Sequence, residues 1–269
     1  MRSKLVVLFL SALLCHVNVF SQSINEKHHS VNDELCGYGV KKGCRVLYIG
    51  DSITDGNWGG VNSAKPSSER ALWDMNHIYG HGYVFLCASY YLSTYPEMEY
   101  EFFNRGISGN TLQNMADRWD GDALSIRPDV LSILIGTNDV EYYLSSSKAS
   151  PFDYDKWEQT YRRLLDESRA DNPKVKFVLA TPFTAKSGKR GSSDDYEQRR
   201  QMVEHMATIV TRIAKDYHAV CLPFDKLVES TIKNHPQVPT SYWVWDGVHP
   251  TAQMHKLMAD MWINSTKKK

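Results

Sequence analysis

Five short apolar runs, each set off from the next by longer polar or helical segments, impose the main constraint on how this chain folds. They are Arg45–Gly50, Glu99–Asn104, Val130–Ile135, Val175–Ala180 and Ala219–Leu222, rich in β-branched residues. Between them lie Leu112–Ile126, Tyr154–Ala170 and Tyr196–Tyr217, where apolar residues recur three and four positions apart, as on one face of a helix. A last helical stretch, Ala252–Ile263, follows Pro250. Such alternation predicts an α/β domain, a parallel sheet covered by helices on both faces. The run Val130–Ile135 ("VLSILI") is apolar nearly throughout, as a central parallel strand buried on both sides requires. No internal repeat or low-complexity linker divides the chain, so one domain is expected.

The start of the chain reads differently. Arg2 and Lys4 precede an apolar run, Leu5–Leu14, that is too short to span a bilayer, and Val19-Phe20-Ser21 places a small residue at a cleavage site. The pattern predicts a signal peptide over residues 1–21, cut near Ser21, and export to the periplasm or the extracellular medium. Residues 22–43 are polar and aperiodic, a leader to a domain over 44–269. With 31 basic and 31 acidic residues the formal net charge is zero, and no basic stripe marks a nucleic-acid partner or a membrane-binding face. No membrane span is expected after signal cleavage, and oligomeric state is left open. Cys36, Cys44, Cys87 and Cys221 follow the signal. A Cys36–Cys44 pair would close a short loop at the domain entrance, a pairing the spacing leaves open. Cys87 and Cys221 lie in apolar stretches and are expected in the core. No CxxC spacing or Cys/His cluster suggests zinc, and neither metal nor cofactor is expected.

In a sheet of this kind ligands bind outside the carboxyl ends of the strands. The first run ends at Gly50-Asp51-Ser52, the second leads into Asn104–Thr111, the third into Gly136-Thr137-Asn138-Asp139, and Asp246–Pro250 precedes the last helix. Each has a plain reading as turn or cap chemistry. Together they fill the roles of acyl transfer. A serine hydroxyl needs a base, His249, and the base needs a carboxylate to orient it, Asp246. The resulting oxyanion needs preorganised donors. Gly109 allows close approach of a backbone amide, the Asn138 side chain donates without carrying charge, and the Ser52 amide is a further donor. Asp51 is expected to anchor the turn, and Asp139 to hold the loop.

The set Gly50-Asp51-Ser52, Gly109, Gly136-x-Asn138-Asp139 and Asp246-x-x-His249 resembles the four signature blocks of the SGNH, or GDSL-type, hydrolases. The resemblance runs from about residue 44 to about residue 265. It implies a three-layer α/β/α sandwich with a flavodoxin-like five-stranded parallel sheet. It further implies a Ser52–His249–Asp246 triad, and an oxyanion hole of Ser52 N–H, Gly109 N–H and the Asn138 amide. The second glycine of a GxSxG elbow is missing after Ser52, which points away from the lipase-type α/β-hydrolase fold.

Such a fold does not settle substrate. The segment 57–100 is the most individual part of the chain, with Trp58 beside the serine loop and Trp73, His77, Tyr79, His81 and Tyr83 beyond it. Trp58, His81 and Trp245 are candidate pocket residues, with Trp243 beside Trp245 on the opposite wall. Two of Trp73, Tyr79 and Tyr83 are expected to pack the core. The loops after the strands are polar and aromatic rather than aliphatic, which favours a small acyl group on a polar carrier. The leading expectation is an exported esterase acting on O-acyl, chiefly O-acetyl, groups of carbohydrate through an acyl-enzyme. A lysophospholipase, or a broad arylesterase or thioesterase, is the alternative enzyme. A non-catalytic carbohydrate-binding protein on a hydrolase fold is the alternative of another class. A zinc hydrolase using His77, His81, Asp246 and His249 is a third.

Overall fold

Successive residues of a strand face opposite ways, and in β1 (Arg45–Gly50) both sets are apolar. Val46 and Tyr48 join one buried cluster, Leu47 and Ile49 the other. A strand of that composition requires cover on both sides, and the computed structural model supplies it. It describes residues 42–56, 65, 77–146 and 150–267. The expected signal peptide and most of the leader, together with Cys36, Trp58 and Trp73, lie outside the described residues.

Four more strands complete the sheet: β2 (Glu101–Gly106), β3 (Val130–Leu134), β4 (Lys176–Ala180) and β5 (Val220–Leu222). All pairings are parallel, in the order β2-β1-β3-β4-β5. This is the flavodoxin-like order, and the sheet with its two helical layers is the α/β/α sandwich expected. One face is covered by α2 (Tyr83–Thr94), α8 (Phe224–Asn234) and α9 (Ala252–Thr266), which contribute Tyr83, Tyr91, Phe224, Met258 and Trp262 to its core. The other is covered by α3 (Leu112–Asp117), α5 (Tyr154–Asp171) and α7 (Tyr196–Asp216), which contribute Leu112, Trp157, Leu164, Met206 and Ile213. The remaining helices are α1 (Ser52–Asp55), α4 (Thr137–Ser145) and α6 (Gly188–Gly191).

Three segments depart from expectation by more than one residue, and one burial differs. The second strand begins at Glu101 rather than Glu99, because Glu99 closes a 3-10 turn, Pro96–Met98, in the left-handed region at φ 49°. The strand also runs on past Asn104 to Gly106. The helical run from Leu112 breaks after Asp117 and resumes as a π turn over Asp120–Leu124. The last helix continues beyond Ile263 to Thr266. Cys87 is fully buried, but Cys221 is only half-buried, since β5 is an edge strand.

The strand order fixes where a site can form. From β1 the chain crosses to β2 on one side and then to β3 on the other, so the connections leaving β1 and β3 diverge. The crevice outside their carboxyl ends is the ligand position of such a sheet. Ser52 follows β1 and Asn138 follows β3.

Candidate active site

Asp51 starts the serine loop. Its carboxylate accepts the Ile53 amide at 2.9 Å, capping α1, so that Ser52 opens a single helical turn closed by Gly56. The Asp51 carboxyl is pushed up to about 6 by burial, against the lowering effect of the Ile53 bond. The backbone below this turn is held by Asn104, whose amide donates to the Thr54, Asp55 and Tyr79 carbonyls at 2.9, 3.2 and 2.9 Å.

The histidine arrives from the far end of the chain. His249 Nε2 lies 2.8 Å from Ser52 Oγ, and His249 Nδ1 lies 2.8 Å from Asp246 Oδ2. The other carboxylate oxygen, Oδ1, accepts the backbone amides of Val248 and His249 at 3.0 and 2.8 Å. Burial by itself would raise the Asp246 carboxyl, but the bonds from His249 and from these amides outweigh it and hold the group well below the usual carboxylate range. Asp246 is therefore an anion with both oxygens committed. The arrangement can orient an imidazole with its Nδ1 proton on Asp246 and its Nε2 lone pair on the Ser52 hydroxyl, the tautomer that general-base chemistry requires.

The third wall comes from the loop after β2 and the start of α4. Gly109 is at φ +81°, a conformation that a side-chain-bearing residue rarely adopts. Asn138 Nδ2 donates to the Asn110 carbonyl at 3.2 Å, fastening α4 to the Gly109 loop. Arg118 braces the same loop, donating to Asn110 Oδ1 at 2.8 Å and to the β1 and β2 carbonyls of Gly50 and Arg105 at 3.2 and 2.8 Å. Asp139 accepts the Leu112 amide on both oxygens, at 3.2 and 3.1 Å, and burial pushes its carboxyl up to about 7.

A chain of charges extends from Asp246. Arg190 of α6 donates to Asp246 Oδ2 at 2.7 Å and to Glu141 of α4 at 3.2 Å, and the buried Arg199 of α7 donates to Glu141 at 2.6 Å. Nothing in the sequence singles out Arg190, Glu141 or Arg118 for the site, whereas Asn104 opens the Asn104–Thr111 stretch already marked as a candidate.

Of the pocket candidates, Trp245 is half exposed and stacks on the His249 ring, centroids 5.9 Å apart at 22°. His81 is exposed, stacks edge-on against His77 at 4.9 Å, and donates its backbone amide to the Gly56 carbonyl at the end of the serine loop. Trp243 does not form the expected wall: it is part-buried against the core and contacts His235 and Tyr242. Tyr83 is buried, its hydroxyl 3.1 Å from Thr54 Oγ1, and Tyr79 is part-buried against the core. Tyr142, not foreseen, is the most exposed large aromatic among the described residues, and a Cβ on Gly109 would lie 3.6 Å from its hydroxyl. Among the described residues no three His, Cys, Asp or Glu side chains gather as metal ligands.

Residues 48–257 match the model of the GDSL-like lipase/acylhydrolase family. An acetylxylan esterase from Geobacillus stearothermophilus is 30% identical over 223 residues, 82% of this chain and 92% of that protein. Its crystal structure aligns with a TM-score of 0.68 at 28% identity, covering 84% of this chain and 95% of that one. A Parabacteroides merdae chain described as a GDSL-like lipase aligns with a TM-score of 0.71 at 31% identity, covering 85% and 98%. Catalytic mutants of the esterase replace a serine, an aspartate and a histidine, the last two three positions apart.

Proposed function

The chain belongs to the GDSL-like lipase/acylhydrolase family and is a carboxylic-ester hydrolase, and from that premise we propose that it removes acetyl groups from carbohydrate by a Ser52–His249–Asp246 triad. The observation that carries the reading is the unbroken relay from Ser52 Oγ through the His249 ring to Asp246, 2.8 Å at each step. The same Asp-x-x-His interval separates the aspartate and histidine replaced in the related esterase's catalytic mutants.

In this mechanism Ser52 Oγ attacks the acetyl carbonyl carbon as His249 Nε2 takes its proton. Asp246 holds the imidazolium that forms. The tetrahedral oxyanion is met by the amides of Ser52 and Gly109 and the side chain of Asn138. His249 then gives its proton to the sugar oxygen as the bond from that oxygen to the acetyl carbon breaks, releasing the sugar hydroxyl and leaving acetyl-Ser52. Water attacks that ester with His249 again as base, releasing acetate. The exposed face of Trp245, stacked beside His249, suits a sugar ring held next to the leaving oxygen. Export with removal of residues 1–21 belongs to the same reading and places the enzyme where polymeric carbohydrate is found.

The test is acetate release from acetylated xylo-oligosaccharides by the mature protein and by Ser52→Ala. Acetate from the wild type alone supports the reading. Full activity in Ser52→Ala removes the triad. A preference for long-chain acyl esters over acetylated saccharides moves the assignment to lipid substrates, and no turnover of any ester would leave a binding protein.

A further inference from the structure

Asp246 Oδ2 accepts two donors. One is the His249 ring at 2.8 Å, the other the Arg190 guanidinium at 2.7 Å. In the relay proposed above, the negative charge of Asp246 stabilises the imidazolium, and a cation bound to the same oxygen opposes that effect. We propose that Arg190 is a positioning residue that sets how strongly Asp246 holds a proton on His249, and that Glu141 sets how strongly Arg190 does so. The proposal rests on the triad reading.

The contact is built into the fold. Arg190 sits on α6, one turn long, which docks directly on the Asp246–Gly247 backbone. Gly188 is at φ +56°, and a Cβ there would fall 2.7 Å from Asp246 Cα; a Cβ on Gly247 would fall 2.9 Å from Arg190 Cβ. Neither residue has room for a side chain, so the two segments meet backbone to backbone. The guanidinium is held from behind by Glu141, which receives Arg190 Nε at 3.2 Å on one oxygen and Arg199 Nε at 2.6 Å on the other. Arg199 is in turn paired with Asp195 at 3.2 Å and donates to the Arg190 carbonyl at 3.3 Å. Glu141 lies on α4, one turn beyond Asn138. The ion-pair chain thus joins the triad acid to the helix that carries the oxyanion donor.

Among the described residues, the other groups coupled electrostatically to His249 are Asp51 at the end of β1 and His255 on α9. Asp51 is tied to the Ile53 amide and His255 to the Tyr83 amide. Neither touches Arg190 or Glu141 by hydrogen bond, so substitutions at 190 and 141 change one side of the electrostatic balance.

The experiment is the pH profile of kcat/KM on a small activated acetate ester for wild type, Arg190→Met, Arg190→Lys and Glu141→Gln, with a thermal melt of each. Its acid limb records loss of the neutral base. Removing the cation lets Asp246 favour the imidazolium, so Arg190→Met should move the midpoint of that limb up by about half a unit to one unit. Arg190→Lys should stay near wild type. Glu141→Gln should move the midpoint down by less, because Arg190 loses its counter-charge. A general loosening of the site would not give opposite signs. An Arg190→Met midpoint that is unmoved or lower overturns the proposal. If Arg190→Met does not fold, Glu141→Gln decides, and an unmoved or raised midpoint overturns it. An active Ser52→Ala would instead sink the triad reading. A dead Ser52→Ala with an unshifted Arg190→Met sinks only this one.

Discussion

The side-chain amide of Asn138 and the backbone carbonyl of Asn110 are joined by a 3.2 Å hydrogen bond, which holds the start of α4 against the loop that carries Gly109. Two of the proposed oxyanion donors are therefore set by one contact. Asn138→Ala is expected to lower kcat on acetate esters by about 10²–10³, close to 3 kcal/mol of transition-state stabilisation, with KM little changed. Steady-state kinetics checks this. A KM effect with kcat preserved would place Asn138 in substrate binding instead.

Asp246 should act through the tautomer it imposes. Asp246→Asn keeps the shape but cannot serve as the anionic acceptor for both His249 Nδ1 and Arg190, and kcat is expected to fall by about four orders of magnitude. The residual rate should remain above that of the uncatalysed ester. Activity within tenfold of wild type would assign the orienting role elsewhere.

Asp139 gives a pH signature in stability. Its carboxyl is raised by burial to about 7, whereas in the unfolded chain it titrates near about 3.9. Between those values the folded state holds the extra proton, so stability falls as pH rises through about 4 to 7. Asp139→Asn keeps an acceptor for the Leu112 amide and removes the titration. Its melting temperature relative to wild type should climb across that window and level off above it. A difference independent of pH would contradict the assignment.

His255 runs the other way. Burial, with a smaller contribution from His249, lowers it to about 4, and its Nδ1 accepts the buried Tyr83 amide at 3.1 Å. The folded state binds fewer protons than the unfolded one between about pH 4 and 6.5, so stability here rises with pH. His255→Leu strands the Tyr83 N–H and should cost about 1–3 kcal/mol in denaturant titration near neutrality. That loss should shrink toward pH 4. A loss that grows on acidification would reverse the sign argued here.

The parts of this molecule that could be read from sequence are those written in short, local patterns. Both-sided apolar composition marked Val130–Ile135 as central, and alternation with helical periods ordered the layers. The Ser52, Asn138 and Asp246-x-x-His249 blocks each fit within one turn of chain. What escaped was set by distance or direction. Arg190 and Asp246 are 56 positions apart with no pattern linking them, and Arg118 reaches Gly50 across 68. Trp243 and Trp245 look equivalent beside the Asp246 turn, yet one packs against the core while the other stacks on His249, because Trp243 ends the 3-10 turn Thr240–Tyr242 with helical backbone and so breaks the alternation that would put both on one face. The start of β2 slipped by two residues because Glu99 adopts a left-handed turn that its residue type does not announce.

On the proposed triad, the 197 positions that separate Ser52 from His249 also make hydrolysis a late event in the life of the chain. A contact of that span carries the loop-closure cost of the whole intervening chain, so it is expected to form together with or after the strands between. In refolding, ester turnover should return after the helical signal has recovered. A fragment that stops short of residue 246 keeps the serine without the proposed base and is expected to be inert. Chemical competence is thus reserved for the finished fold.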